Sequence, residues 1–181
     1  TQSRSSAASD VYKRQAHIRE HNPEIHLSVS ATTRAPRPGE IDGVHYYFVD
    51  DAEFDRLIAE DELLEYAVVH NRSRYGTPRA PIDAALAAGK TVLLEIDLQG
   101  ARQVRKAEPA ATLIFLLPPT WDELVQRLVG RGTEGAEERA RRLRTAKVEL
   151  AAQNEFDHLI VNEDVAAAAA EVVELSSSSA R

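Results

Sequence analysis

The sequence predicts an α/β protein built on a parallel β-sheet, and three observations carry that expectation. Short apolar runs alternate with helical patterns over residues 25–175, the order that crossover helices between parallel strands produce. Two of the runs, residues 91–96 and 112–117, are apolar almost throughout, with Glu95 as the charge in the first; strands covered on both faces read this way. An aromatic strand region and a long charged helix stand outside the alternation and are expected to be insertions around the core.

The elements follow in order. Residues 1–15 are Ser/Ala-rich and aperiodic, without the basic-then-apolar order of a secretory signal, and are expected to be disordered or foreign. The sequence opens on Thr1 and not on Met, as a fragment or a misplaced reading frame would. Residues 16–21 read as the last turns of a helix stopped before Pro23. A strand is expected at 25–30, a Pro/Gly/Arg-rich loop from Ala31 to Gly43, and an aromatic strand at 44–49. Asp50 or Asp51 should cap a helix reaching Glu60, with Phe54, Leu57 and Ile58 on one face. Residues 63–69 form the next strand, and Pro81 opens a helix that Gly89 stops. After the apolar strand at 91–96 come a helix at 98–106, the strand at 112–117, and a helix at 121–129 for which Thr120 and Glu123 make a capping box. A long charged helix covers 137–154, a short strand 159–161 and a closing helix 164–175; residues 176–181 are expected to be a disordered tail.

Composition narrows the function classes. No cysteine is present, which removes disulfides and thiolate metal sites, and the six histidines never fall at a metal-ligand spacing. The net charge of -7 argues against nucleic-acid binding, which relies on clustered positive charge. No apolar run is long enough to cross a bilayer, so no membrane partner is expected and the cytoplasm is the default location. Arginines still gather in two places, Arg34 with Arg37 and the stretch from Arg127 to Arg144, where a small phosphorylated ligand could be held.

The densest chemical signal is the stretch Ser28-Val29-Ser30-Ala31-Thr32-Thr33-Arg34-Ala35-Pro36-Arg37-Pro38-Gly39-Glu40-Ile41-Asp42-Gly43, followed by Tyr46 and Phe48. Two arginines three apart in a proline-stiffened loop can aim forked guanidinium groups at one phosphate, and a nearby phenol can add a donor. A solvated basic turn has the same composition, so the segment alone leaves both readings open. Asp97 ends a strand at its C-terminal side, where open α/β sheets place ligands. Glu65, on an alternating strand, would by pattern alone be a solvent-facing carboxylate.

This segment resembles the GMP-phosphate loop of guanylate kinases. The similarity continues through Glu65-Tyr66-Ala67, Arg74-Tyr75-Gly76-Thr77, Glu95-Ile96-Asp97-Leu98-Gln99-Gly100, Gly130-Arg131-Gly132-Thr133 and Ile160-Val161-Asn162. It implies a P-loop nucleoside monophosphate kinase-like α/β fold: a parallel sheet with helices on both faces, an inserted mixed α/β GMP-binding subdomain at about 31–88 and a helical lid at about 127–153, within a domain spanning 16–175. It implies phosphoryl transfer from ATP to GMP, giving ADP and GDP, with Mg2+ accompanying ATP and dGMP as a further acceptor to consider. By position, Ser30, Arg34, Arg37, Tyr46 and Tyr75 would hold the nucleotide phosphate, and Glu65, Thr77 and Asp97 would read the base. Arg131 and Arg142 match the lid arginines, Arg127 lies one helical turn before Arg131, and Asn162 resembles a residue near the adenine of ATP.

The chemistry agrees with that assignment. Guanine offers adjacent N1–H and N2–H donors that one carboxylate accepts together, while adenine presents a lone pair at N1. One part of the pattern is missing: nothing before Ala16 matches Gly-x-x-x-x-Gly-Lys-[Ser/Thr], the loop that cradles donor phosphates. Gly89-Lys90-Thr91 is a partial match, but Ala84 stands at the first glycine and the segment reads as a helix stop. The chain as given is therefore expected to be impaired in transfer. The rival reading is a guanylate-kinase-like interaction domain that has lost catalysis; the retained Glu65, Asp97 and lid arginines speak against it.

Overall fold

The computed structural model describes residues 6–69, 73–129 and 136–178. Two compact units divide the chain, one formed by residues 24–111 and the other by residues 1–23 with 112–181.

In residues 24–111, β1 (His26–Leu27) pairs in parallel with β6 (Val92–Leu93). A four-stranded mixed sheet has the order β3-β2-β5-β4, built from β2 (Ala31–Thr32), β3 (Tyr47–Phe48), β4 (Leu63–Val69) and β5 (Ser73–Pro78). Strands β4 and β5 run antiparallel, with Glu65 opposite Thr77 and Ala67 opposite Tyr75. Helix α2 (Asp51–Ala59) starts where Asp50 accepts the Glu53 N–H at 2.8 Å, an N-cap bond. Its apolar face carries Phe54 and Leu57 onto Ala31 and Leu63, forming one core. Helix α3 (Arg79–Ala87) is followed by Gly89 at φ +72°, a left-handed stop that a side chain would strain. Helix α4 (Leu98–Ala107) is capped by Asp97, and its Val104 joins Leu64 and Ile82 in a second core.

Strand β4 also shows how an edge is closed. The Gln103 side chain accepts the Tyr66 N–H at 3.1 Å and donates to the Tyr66 carbonyl at 2.6 Å. A side-chain amide thereby takes the place of a neighbouring strand along one residue of the edge.

In the other unit, α1 (Ser6–His21) packs with α7 (Val165–Ser178), and α5 (Trp121–Val129) with α6 (Ala136–Ala151). A parallel pair joins β7 (Ile114–Leu117) to β8 (His158–Val161). Ile18, Ile160 and Ala169 are buried to 1% exposure or less. Thr120 Oγ1 accepts the Glu123 N–H at 3.1 Å, the forward half of the expected capping box.

Several expectations need correcting. The stretch 1–15, read as disordered or foreign, lies largely within α1, which begins at Ser6; its Arg14 is buried. The Ser/Ala-rich composition hid a helix because Ser and Ala carry no periodicity of their own. The closing helix likewise reaches Ser178, where a tail was expected from residue 176. The strand at 91–96 pairs only at Val92–Leu93, and its residues are half-buried, not covered on both faces. Among the described residues β6 has one strand neighbour, β1. Among the described residues parallel pairing occurs at β1–β6, at β2–β3 within the mixed sheet, and at β7–β8. The loop expected from Ala31 starts with a strand, and residues 73–78 form one that the sequence reading did not name.

Candidate functional site

The site begins with strand β4. Glu65 and Ala67 lie on the buried side while Tyr66 and Val68 face outward, an alternation that begins after a register shift between Leu63 and Glu65. The antiparallel register sets Thr77 opposite Glu65, and the Thr77 hydroxyl donates to Glu65 Oε1 at 2.6 Å, the length of a charge-assisted bond. Thr77 is fully buried and Glu65 is 4% exposed. Burial pushes the Glu65 carboxyl above the usual range; the Thr77 bond opposes the rise and the Asp97 charge adds to it. The solvent-facing reading of Glu65 is therefore replaced by an inward one.

The other Glu65 oxygen rests against α4. A Cβ added at Gly100 would overlap Glu65 Oε2 and come within 3.1 Å of its carboxyl carbon. Gly100 is fixed in turn, its N–H donating to Asp97 Oδ1 at 2.9 Å, while Gln99 donates to Asp97 Oδ2 at 3.4 Å. The three residues expected to read a base are thus gathered at one place, but Asp97 has a second duty as the cap of α4. The single hydroxyl proton of Thr77 is committed to Glu65, so the hydroxyl orients the carboxylate in this ligand-free structure.

Two residues along β5, on the same face as Thr77, Tyr75 meets Arg34. The Arg34 guanidinium donates from Nε to the Tyr75 hydroxyl at 3.1 Å, from Nη1 to the Ala35 carbonyl at 2.7 Å, and from Nη2 to both Glu40 oxygens at 2.9 and 3.0 Å. Tyr46 packs edge-on against Tyr75, and Arg34 lies 5.3 Å from the Tyr46 ring centroid, within cation–π range. Burial works against the Arg34 charge, but bonds from Glu40 and Tyr75 outweigh it and raise the Arg34 pKa. Thr32 and Thr33 tie this loop to β5: Thr32 Oγ1 donates to the Arg74 carbonyl at 2.9 Å, and Thr33 Oγ1 accepts the Arg74 N–H at 3.1 Å.

Arg34, Tyr46 and Tyr75 are therefore brought together. Arg37 sits nearby in sequence with an exposed side chain, and Ser30 is half-buried just before β2. In the sequence Glu40 and Gly100 stand out only as members of motifs. Their roles depend on contacts across 6 residues in one case and across strands and helix in the other, which no local pattern displays.

The remaining candidates belong to the other unit. Arg142 lies on α6 and is half-buried; Arg127 lies on α5; Arg131 is outside the described residues. Asn162 follows β8 and lines a cleft of about 430 Å³ with Lys13, His17 and residues 163–166. Among the described residues no group of three or more His, Asp or Glu side chains is gathered as a metal site, and no helix is long and apolar enough to cross a membrane.

A family model described as guanylate kinase matches residues 7–178. The chain belongs to the guanylate kinase family. It is 73% identical over 160 residues to the guanylate kinase of Leifsonia xyli subsp. xyli (strain CTCB07), covering 88% of this chain and 63% of that relative. With the guanylate kinase of Thermobifida fusca (strain YX) the identity is 64% over 148 residues, covering 82% of this chain and 75% of the relative. The crystal structure of guanylate kinase from Anaplasma phagocytophilum matches with a TM-score of 0.74 at 32% identity, covering 94% of this chain and 80% of that one. The chain thus spans less than two thirds of its Leifsonia relative. The family match starts at residue 7, inside the stretch expected to be disordered or foreign.

Proposed function

We propose that this chain carries the GMP-binding site of a guanylate kinase, and that the whole protein is a phosphotransferase moving the γ-phosphoryl group of ATP to GMP, for recycling of purine nucleotides. The observation that carries the proposal is the buried Glu65–Thr77 pair seated against Gly100. A fixed, inward carboxylate is the acceptor that the paired N1–H and N2–H of guanine need, and it repels the N1 lone pair of adenine. Asp97 supplies a second carboxylate for the same edge. In the reading, Arg34, Arg37, Tyr46, Tyr75 and Ser30 hold the acceptor phosphate, with dGMP as an alternative acceptor.

On the donor side, Arg142 with Arg127 and Arg131 would neutralise charge on the migrating phosphoryl group, the principal demand of this reaction. Asn162 would lie beside the adenine. A divalent metal, Mg2+, would accompany the donor phosphates; the described residues gather no ligand set for it, and no step is assigned to it. The 181 residues hold no Gly-x-x-x-x-Gly-Lys-[Ser/Thr] segment, so for the chain as given the proposed activity is acceptor binding with weak transfer. The proposed location is the cytoplasm, with no nucleic-acid or membrane partner.

Calorimetric titration with GMP and with AMP tests the site. Selective GMP binding that Glu65→Ala abolishes is the expected result. A folded chain that binds neither nucleotide, or both equally, would refute the assignment.

A further inference from the structure

Residues Arg37-Pro38-Gly39-Glu40 form a tight turn in which the Glu40 N–H donates to the Arg37 carbonyl at 3.0 Å. Proline at the second position and Gly39 at φ +85° in the third give it type II geometry. The Glu40 side chain then folds back: its Oε2 accepts the Arg37 N–H at 2.7 Å, and both its oxygens take the Arg34 Nη2 protons. One carboxylate therefore fixes the backbone of Arg37 and the guanidinium of Arg34 together.

We infer that Glu40 is a positioning residue for the acceptor phosphate, aiming Arg34 and Arg37 at one point; this rests on the reading of the loop as the phosphate site. Exposure decides between this and the opposite reading, in which Glu40 stands where the phosphate would sit. A group in the ligand's place would be open to solvent in the empty site, yet the Glu40 side chain is 3% exposed and that of Arg34 14%. On this inference Glu40 holds Arg34 from its buried side, and the ligand would meet the arginine from solvent. Arg34 is also held by Tyr75 and Ala35, so the carboxylate completes a three-point fixation. Such fixation removes the entropy that a free guanidinium would lose on binding.

The test uses Glu40→Gln and Glu40→Ala in the full chain, titrated with GMP and with guanosine. Gln keeps an oxygen for the Arg37 N–H but turns an amide donor toward Arg34; Ala removes both contacts. The expected result is GMP binding weakened about tenfold or more in both variants, with guanosine binding unchanged because it carries no phosphate. Tighter GMP binding in Glu40→Gln would overturn the inference in favour of the placeholder. Equal loss for GMP and guanosine would overturn it in favour of general loosening, and an unchanged GMP affinity would overturn it outright. In the last case wild-type GMP binding that Glu65→Ala abolishes leaves the functional reading intact, whereas a wild-type chain that does not bind GMP refutes both. If Glu40→Ala does not fold, Glu40→Gln alone decides.

Discussion

Replacing Thr77 by Val removes one hydroxyl from the fully buried partner of Glu65 while keeping the shape of the side chain. The volume change is small, so the cost comes from the lost 2.6 Å bond and not from a cavity. A hydrogen bond to a charged group is worth about 1.5–3 kcal/mol, and a neutral one about 1 kcal/mol. The loss should therefore grow as Glu65 ionises. Burial already raises the Glu65 pKa above its ordinary 4.5 and the Thr77 hydroxyl opposes that rise, so Thr77→Val raises it further. A carboxyl with a raised folded-state pKa contributes stability that is present below 4.5 and disappears as pH rises through the folded value. The variant should lose more on that climb than the wild type. Urea unfolding followed by circular dichroism, at about pH 4 and about pH 7.5, measures the difference. The expected gap is about 1 kcal/mol at the acid end, widening to about 2–3 kcal/mol at neutral pH. A gap that is the same at both pH values, or larger in acid, would refute the claim that the hydroxyl supports an ionised carboxylate.

Other outcomes follow from the same geometry. Gly100→Ala drives a methyl group into Glu65 Oε2, so GMP affinity should fall by at least about tenfold, as expected for a misplaced charged acceptor, with AMP affinity not improved; calorimetry reads both. GMP binding should weaken as pH falls through the raised Glu65 pKa, since a protonated carboxyl accepts one guanine donor less well than a carboxylate accepts two. Glu65→Gln should lack that acid limb, and a pH-independent wild-type affinity would count against Glu65 as the base reader. Tyr75→Phe removes the acceptor of the Arg34 Nε proton at 3.1 Å and should weaken GMP binding by about threefold to tenfold while leaving guanosine binding as it was.

The sequence by itself determined the elements whose signals are local. A cap at Asp50 or Asp51 and another at Thr120 were readable because an N-cap bond spans three residues, and the structure selects Asp50 for the first. Strand β4 and the stop at Gly89 were legible from period and from glycine chemistry. The motif order, from the Arg34–Arg37 loop to Asn162, pointed to the family that the comparisons show. Tertiary structure decided what depends on partners distant in the chain. Glu65 turns inward because β5 places Thr77 across from it and α4 presents a glycine to its other oxygen, and neither neighbour lies within 10 residues. Alternation alone cannot say which face of a strand is buried. The half-buried state of residues 91–96 has the same origin, since an apolar run states what a strand could bury and only its neighbours decide what it does bury. Glu40 reads in the sequence as one more loop acid. Only the fold, by turning the chain back at Pro38-Gly39, sets its carboxylate against both the Arg34 guanidinium and the Arg37 backbone N–H.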